Sequence, residues 1–160
     1  PVIARVHGAA LGGGVGLVAA CDIAIATESA RFAFSEAKLG IVPAVISTFV
    51  LPKIGQGNAR ALFLSAEHFD AQRALRIGLV HEVVPQDQFD AAVDKVLGEV
   101  ATSAPQAIAA AKRLLVAVNG MDRDKAIQLT AETIANLRTG PEGQEGLRAF
   151  LEKRNPEWIR

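Results

Sequence analysis

Val2-Ile3-Ala4-Arg5-Val6-His7-Gly8-Ala9-Ala10-Leu11-Gly12-Gly13-Gly14 is the stretch on which the reading of this chain turns. Residues Val2–Val6 form a short β-branched run with the composition of a buried strand. A glycine-rich turn follows, and Val15–Cys21 is apolar enough for a buried helix. Asp22–Ala26 then reads as a second strand and Arg31–Phe34 as a third. Strand, glycine turn, buried helix and strand in this order give a βαβ crossover, so the expected class is α/β.

Downstream, Ser35–Gly40 reads as a polar turn, and Pro43 suits a first helical position. Val45–Ile54 is an apolar helical stretch ending near Gly55. Pro52 interrupts it, so two short helices fit as well as one. Asn58–Leu64 is helical in pattern, and Asp70 is placed to cap a further helix through Ile77, ended by Gly78. Leu79–Val84 is expected to be a strand closed by Pro85. Past residue 86 the pattern becomes helical throughout, over Gln88–Ala101, Pro105–Val118, Arg123–Leu137 and Gly143–Lys153. In the second of these, Ile108, Ala111, Leu115 and Val118 make one apolar stripe. Residues 1–86 are therefore expected to form an α/β part and 87–160 a helical part. So few short strands do not complete a two-layer core, and further strands or a partner subunit are needed to cover them.

Composition removes several classes of function. The 160 residues can bury a sizeable core, half of them are hydrophobic and 21% are charged, which excludes a disordered polyelectrolyte. Seventeen basic residues balance 17 acidic ones, so nothing favours binding to a phosphate backbone. Cys21 is the only cysteine, which rules out an internal disulfide; a reducing, cytoplasmic setting is the simplest expectation, and a disulfide-free secreted protein has the same composition. No unbroken apolar stretch is long enough to span a bilayer, and no signal core opens the chain. The chain opens on what reads as a mid-protein strand, so it is expected to be a processed or truncated product. His7, His68 and His81 lack metal-ligand spacing, and no nucleic-acid, membrane or metal partner is expected.

Two features carry chemistry. Consecutive glycines at 12, 13 and 14 let the backbone approach a ligand closely. Free N–H groups at the start of the following helix would face a developing oxyanion, with the helix dipole behind them. The bland alternative is a turn that merely permits tight helix–sheet packing. The run meets neither the P-loop pattern nor the dinucleotide fingerprint. The second feature is Glu36, between the apolar Arg31–Phe34 segment and the turn Lys38-Leu39-Gly40. A carboxylate at the mouth of an apolar pocket suits proton transfer near neutrality. An exposed turn glutamate paired with Lys38 is the competing reading. Asp22 reads as a local cap or hydrogen-bond partner, and Cys21 as a small buried hydrophobe.

The opening stretch, continued by Cys21-Asp22-Ile23-Ala24-Ile25-Ala26 and Phe34-Ser35-Glu36-Ala37-Lys38-Leu39-Gly40-Ile41-Val42-Pro43, resembles the central signature of the enoyl-CoA hydratase/isomerase (crotonase) family. Ala74–Val80, Val83-Val84-Pro85 and the closing Phe150–Pro156 are similar to the family as well. The resemblance covers nearly the whole chain and is nearest to the methylglutaconyl-CoA hydratase type. It implies part of a crotonase-like ββα spiral, lacking its N-terminal portion, followed by a helical region for trimerisation and the CoA site. It also implies homotrimers or dimers of trimers.

The roles that follow are implied by this resemblance. Gly13 N–H would hold the thioester oxygen, and Glu36 would be the catalytic acid/base. Gly12, Gly14, Gly16, Leu39, Pro43, Ala44, Phe150 and Lys153 would line the substrate site, Lys153 facing a CoA phosphate from a neighbouring subunit. A core phenylalanine and a solvated lysine are the bland readings of Phe150 and Lys153. The implied substrate is an acyl-CoA thioester, with no cofactor beyond the CoA it carries. Two departures stand out. Gly16 occupies the place of the family's other glutamate, and Ala44-Val45-Ile46-Ser47 is bulkier than the glycine-rich loop of many members, which implies a reshaped acyl pocket. The implied reaction is hydration of a 2-enoyl-CoA, with a branched or carboxylated acyl group such as methylglutaconyl as the nearest match. Double-bond isomerisation and a non-catalytic binding role are the alternatives.

Overall fold

The β-branched opening run forms β1 (Ile3–Val6), and after the left-handed Gly8 (φ 69°) the chain makes a second short strand, β2 (Ala9–Leu11). This strand lies inside the segment read from sequence as a glycine turn. Helix α1 (Gly13–Ala20) follows, then β3 (Ile23–Thr27) and β4 (Arg31–Ala33). The Ser35–Leu39 segment is a turn of 3-10 helix, closed by Gly40 at φ 73°, where the sequence suggested a plain polar turn. Next come α2 (Ala44–Ser65), β5 (His68–Asp70), α3 (Ala71–Arg76) and β6 (Glu82–Val84). The architecture is that of a computed structural model describing residues 1–159.

Each ββα turn sends its first strand to one sheet and its second to another. β1, β3 and β6 form a parallel sheet, with Ile3 opposite Ile23 and Ile25 opposite Glu82. β2 pairs parallel with β4, Ala10 opposite Phe32, and β5 closes that sheet antiparallel, Phe69 opposite Phe32. The winding of β1-β2-α1 and then β3-β4-α2 is the crotonase-like ββα spiral that the family resemblance implies. Its core is aromatic as well as aliphatic. Phe32 and Phe34 are fully buried; Phe32 stacks on Phe69 at 5.6 Å, and Phe34 meets Phe63 edge-on at 4.7 Å. These contacts join β4, β5 and the far half of α2, and each buried ring contributes roughly 2–3 kcal/mol.

Several sequence expectations are corrected. The apolar stretch of α2 does end at Gly55 (φ 72°, ψ 160°), as the sequence indicated, but Pro52 makes no break of its own; glycine accepts a left-handed φ that its side-chain-bearing neighbours would not tolerate cheaply. Asn58 Nδ2 then donates to the Ile54 carbonyl at 2.8 Å, satisfying an acceptor next to the kink. Pro43 is the N-cap residue of α2 rather than its first helical residue, and it is buried. The expected strand Leu79–Val84 shortens to Glu82–Val84, since Leu79 and Val80 turn inward as buried core residues just after α3. Asp70 caps α3 as expected, its carboxylate accepting from Arg73 N at 2.7 Å.

Helices α4 (Phe89–Ala101), α5 (Pro105–Ala117), α6 (Arg123–Thr139) and α7 (Pro141–Glu152) complete the chain. The chain divides into two units, Val2–Lys95 and the segment from Val96 onward together with Pro1. In the second unit, Glu142 at the start of α7 accepts from Gln106 N and Ala107 N at 3.1 and 3.0 Å, capping α5 from a distance. Trp158 Nε1 donates to Thr102 O at 3.1 Å. The apolar stripe expected on α5 is displaced. Ala110 is buried with Ile108, Leu114 and Val118 half-buried, whereas Ala111 and Leu115 are exposed. A helix with apolar residues on neighbouring positions has two candidate faces, and packing against α6 selects one.

Candidate active site

The apolar strand β4 delivers Glu36 to the edge of the core, and the short 3-10 turn holds it there. Phe34, two residues before it, is fully buried, while Ala37, Lys38 and Leu39 directly after it are exposed. Glu36 lies between these regimes and is half-buried. Its Oε2 is buried and has no hydrogen-bond partner among the described residues. Its other oxygen packs against the start of α1, where a Cβ placed on Gly12 would stand 3.2 Å from Oε1. A polar oxygen left buried and unpaired in a folded protein marks either a strained spot or one that meets a ligand.

Gly12 is the N-cap of α1 with φ 49° and ψ −117°, a conformation that side-chain-bearing residues avoid. Its N–H donates to Ala33 O at 2.9 Å, and its carbonyl accepts from Val15 N and Gly16 N at 3.0 and 3.2 Å. The helix start is thus tied to β4, the strand that carries Glu36. Gly13 and Gly14 occupy the first turn, where N–H groups precede any intrahelical acceptor and the positive end of the helix dipole lies. A Cβ on Gly13 would meet nothing within 4 Å, so open space borders its backbone. The structure therefore brings Gly12, Gly13, Gly14 and Glu36 to one place.

Gly16 is buried one turn further along α1, and the reason for a glycine there is steric. A Cβ on it would lie 2.2 Å from Ile46 Cγ2 and 2.7 Å from Ile46 Cβ. No side chain fits at position 16 while Ile46 stays where it is. The sequence flagged the Ala44–Ser47 segment as bulky, but the match between Ile46 and Gly16 is visible only in three dimensions. Leu39 and Ala44 are exposed, as are Leu17, Ile41, Val42 and Val45, so this side of the unit presents bare hydrocarbon. Phe150 and Lys153 belong to the other unit. Phe150 is exposed, and Lys153 is the left-handed C-cap of α7 with φ 54°.

Other polar groups have structural roles. Asp22 Oδ2 accepts from Val2 N at 2.7 Å, the local bond expected for it. Lys53 Nζ donates to Cys21 O at 2.7 Å, closing the C-terminal end of α1, and burial pushes its ammonium below the usual range. Cys21 itself is half-buried. A cavity of about 600 Å³ runs along α5 beside Ile108, Lys112, Arg113 and Val116. It contains no carboxylate, so volume alone does not locate the chemistry. Among the described residues no cluster of side chains suits a metal ion, and no helix is long and apolar enough to cross a membrane.

A family model described as enoyl-CoA hydratase/isomerase matches residues 1–160. The chain belongs to this family. Among family members, the crotonyl-CoA hydratase of Syntrophomonas wolfei is 38% identical, covering 99% of this chain and 62% of that protein. The human mitochondrial methylglutaconyl-CoA hydratase is 39% identical, covering 99% of this chain and 48% of the relative. A solved structure of a crotonase-type enoyl-CoA hydratase/isomerase from Legionella pneumophila superposes with a TM-score of 0.92 at 49% identity, over 99% of this chain and 61% of that one. The chain thus spans roughly half to three fifths of the length of the curated relatives it matches. The crotonase fold of the first unit agrees with this membership.

Proposed function

We propose that this chain carries the acid/base and oxyanion elements of an enzyme that hydrates a 2-enoyl-CoA. The observation supporting this most directly is the Glu36 carboxylate, with one oxygen buried and unpaired and the other packed on the glycine start of α1. In this reading the thioester oxygen accepts hydrogen bonds from the first-turn N–H groups, Gly13 foremost, as negative charge moves onto it. Glu36 takes a proton from water while the water oxygen bonds to C3. The enolate then collapses as Glu36 returns that proton to C2, leaving a 3-hydroxyacyl-CoA and a regenerated carboxylate. The CoA travels with the substrate, and no metal or further cofactor enters the scheme.

Among acyl groups, a branched and carboxylated one such as methylglutaconyl is the preferred proposal. Its own carboxylate would supply a polar contact that Gly16 does not, and the similar human protein carries that substrate in its name. Lys153 facing a CoA phosphate, Phe150 lining the CoA site, a trimer or dimer of trimers, and a cytoplasmic location belong to the same proposal. The second reading, double-bond isomerisation, is favoured by one observation. Ile46 fills the space at Gly16 with hydrocarbon, and a lone Glu36 suffices to move a proton between two carbons. A non-catalytic binding role is the third.

Glu36→Gln in the intact protein separates them, assayed with methylglutaconyl-CoA and crotonyl-CoA for hydrated and isomerised products. Loss of general acid/base catalysis lowers turnover by roughly 10²–10⁴ while acyl-CoA binding persists. Undiminished hydration in the variant removes Glu36 from the mechanism. Isomerised product without hydration supports the second reading, and acyl-CoA binding without any turnover the third.

A further inference from the structure

Glycine is a poor helix former, and Gly16 sits in the middle of α1 with no left-handed φ to explain it. Ile46 does explain it, because its Cγ2 and Cβ occupy the place of any side chain at that position. Ile46 stands in the first turn of α2 and is only half-buried, so it presses into α1 and still borders open space. One turn earlier, Gly12 receives the Glu36 carboxylate in the same manner. Gly12 and Gly16 are four residues apart, so Glu36 and Ile46 meet the start of α1 about one helical turn from each other. The flanking Leu17 and Val45 point outward, 73% and 81% exposed, and do not fill the crease between the helices.

We infer that Ile46 is a specificity-determining residue, which ends the acyl pocket beside Glu36 and confines the site to short acyl-CoA thioesters. The inference rests on the acyl-CoA reading above. With the thioester oxygen at the start of α1 and the reacting carbons against Glu36, the rest of the acyl chain enters the crease between α1 and α2. There it meets an isoleucine side chain that is apolar, and therefore compatible with hydrocarbon, but fixed in place by its contact with the α1 backbone. A chain of a few carbons fits against it. A longer chain collides with it, because Ile46 cannot retreat without leaving a hole against Gly16.

The test compares intact wild-type protein with Ile46→Ala, Gly16→Ala and the double variant. Binding of butanoyl-CoA, decanoyl-CoA and free CoA is measured by calorimetry, and turnover with crotonyl-CoA and 2-decenoyl-CoA. Ile46→Ala is expected to shift the ratio of the two thioester Kd values roughly tenfold towards decanoyl-CoA, leaving free CoA unchanged. Gly16→Ala is expected to weaken binding of both thioesters, and adding Ile46→Ala to restore it. Should Ile46→Ala fail to fold, Ile46→Val is expected to shift the ratio in the same direction by a smaller factor. Equal changes for both thioesters, or a double variant no better than Gly16→Ala, would overturn the inference. The shifted binding ratio without turnover upholds it and discards the catalytic reading, whereas a wild-type protein that binds neither thioester discards both.

Discussion

Gly12→Ala strikes the point where the start of α1 meets the Glu36 carboxylate. The new methyl group must adopt φ 49° and ψ −117°, outside the regions open to L-residues, at a cost of about 1–3 kcal/mol. It also lands 3.2 Å from Glu36 Oε1 and 3.5 Å from Cδ, so the carboxylate shifts by a few tenths of an ångström. The adjacent glycine is the control. Gly13→Ala places its methyl group where nothing lies within 4 Å, in a helical conformation that alanine favours by up to about 1 kcal/mol. Urea unfolding of the two variants, compared at equal m value, should therefore separate them by roughly 1–4 kcal/mol, with Gly12→Ala the less stable. Turnover of crotonyl-CoA by Gly12→Ala should fall further than its folded fraction explains, because the displaced group is the proposed acid/base. Equal stabilities for the two variants would refute the assignment of a strained, Glu36-contacting glycine.

Removing the α3 cap with Asp70→Ala is expected to cost about 1 kcal/mol by urea unfolding, since the Arg73 N–H loses its acceptor. Acidification should destabilise the protein through His81. Burial, and then the nearby Lys53 ammonium, hold its imidazole below the ordinary value of 6.5, and protonating Nδ1 ends the bond it accepts from Ala24 N at 2.9 Å. With the folded pKa below the unfolded one, the unfolded chain binds the proton first. Stability is then full above about pH 6.5 and declines as pH falls through the folded pKa. His81→Asn, whose amide oxygen can accept the same bond, should flatten that part of the curve; an unchanged slope assigns the acid sensitivity to other groups.

By itself the sequence determined many of the local pieces and singled out Glu36 and the glycines at 12–14 as a candidate site. The β-branched run before Gly8, the glycines at 12–14, the Asp70 cap and the long helices after residue 86 are written in nearest neighbours, through strand propensity, turn conformation and capping. Glu36 stood out because of the residues around it and the resemblance they carried. What tertiary structure decided depends on residues distant in the chain. The two short strands Ala9–Leu11 and His68–Asp70 exist because β4 lies between them, and three residues have too little pattern of their own. The buried face of α5 was set by its neighbour α6, because the pattern within α5 offers two apolar faces. Above all, Gly16 reads from sequence as a missing carboxylate, whereas the fold makes it the seat of Ile46. A glycine's side of a contact leaves no pattern in sequence, because what it accommodates belongs to another helix.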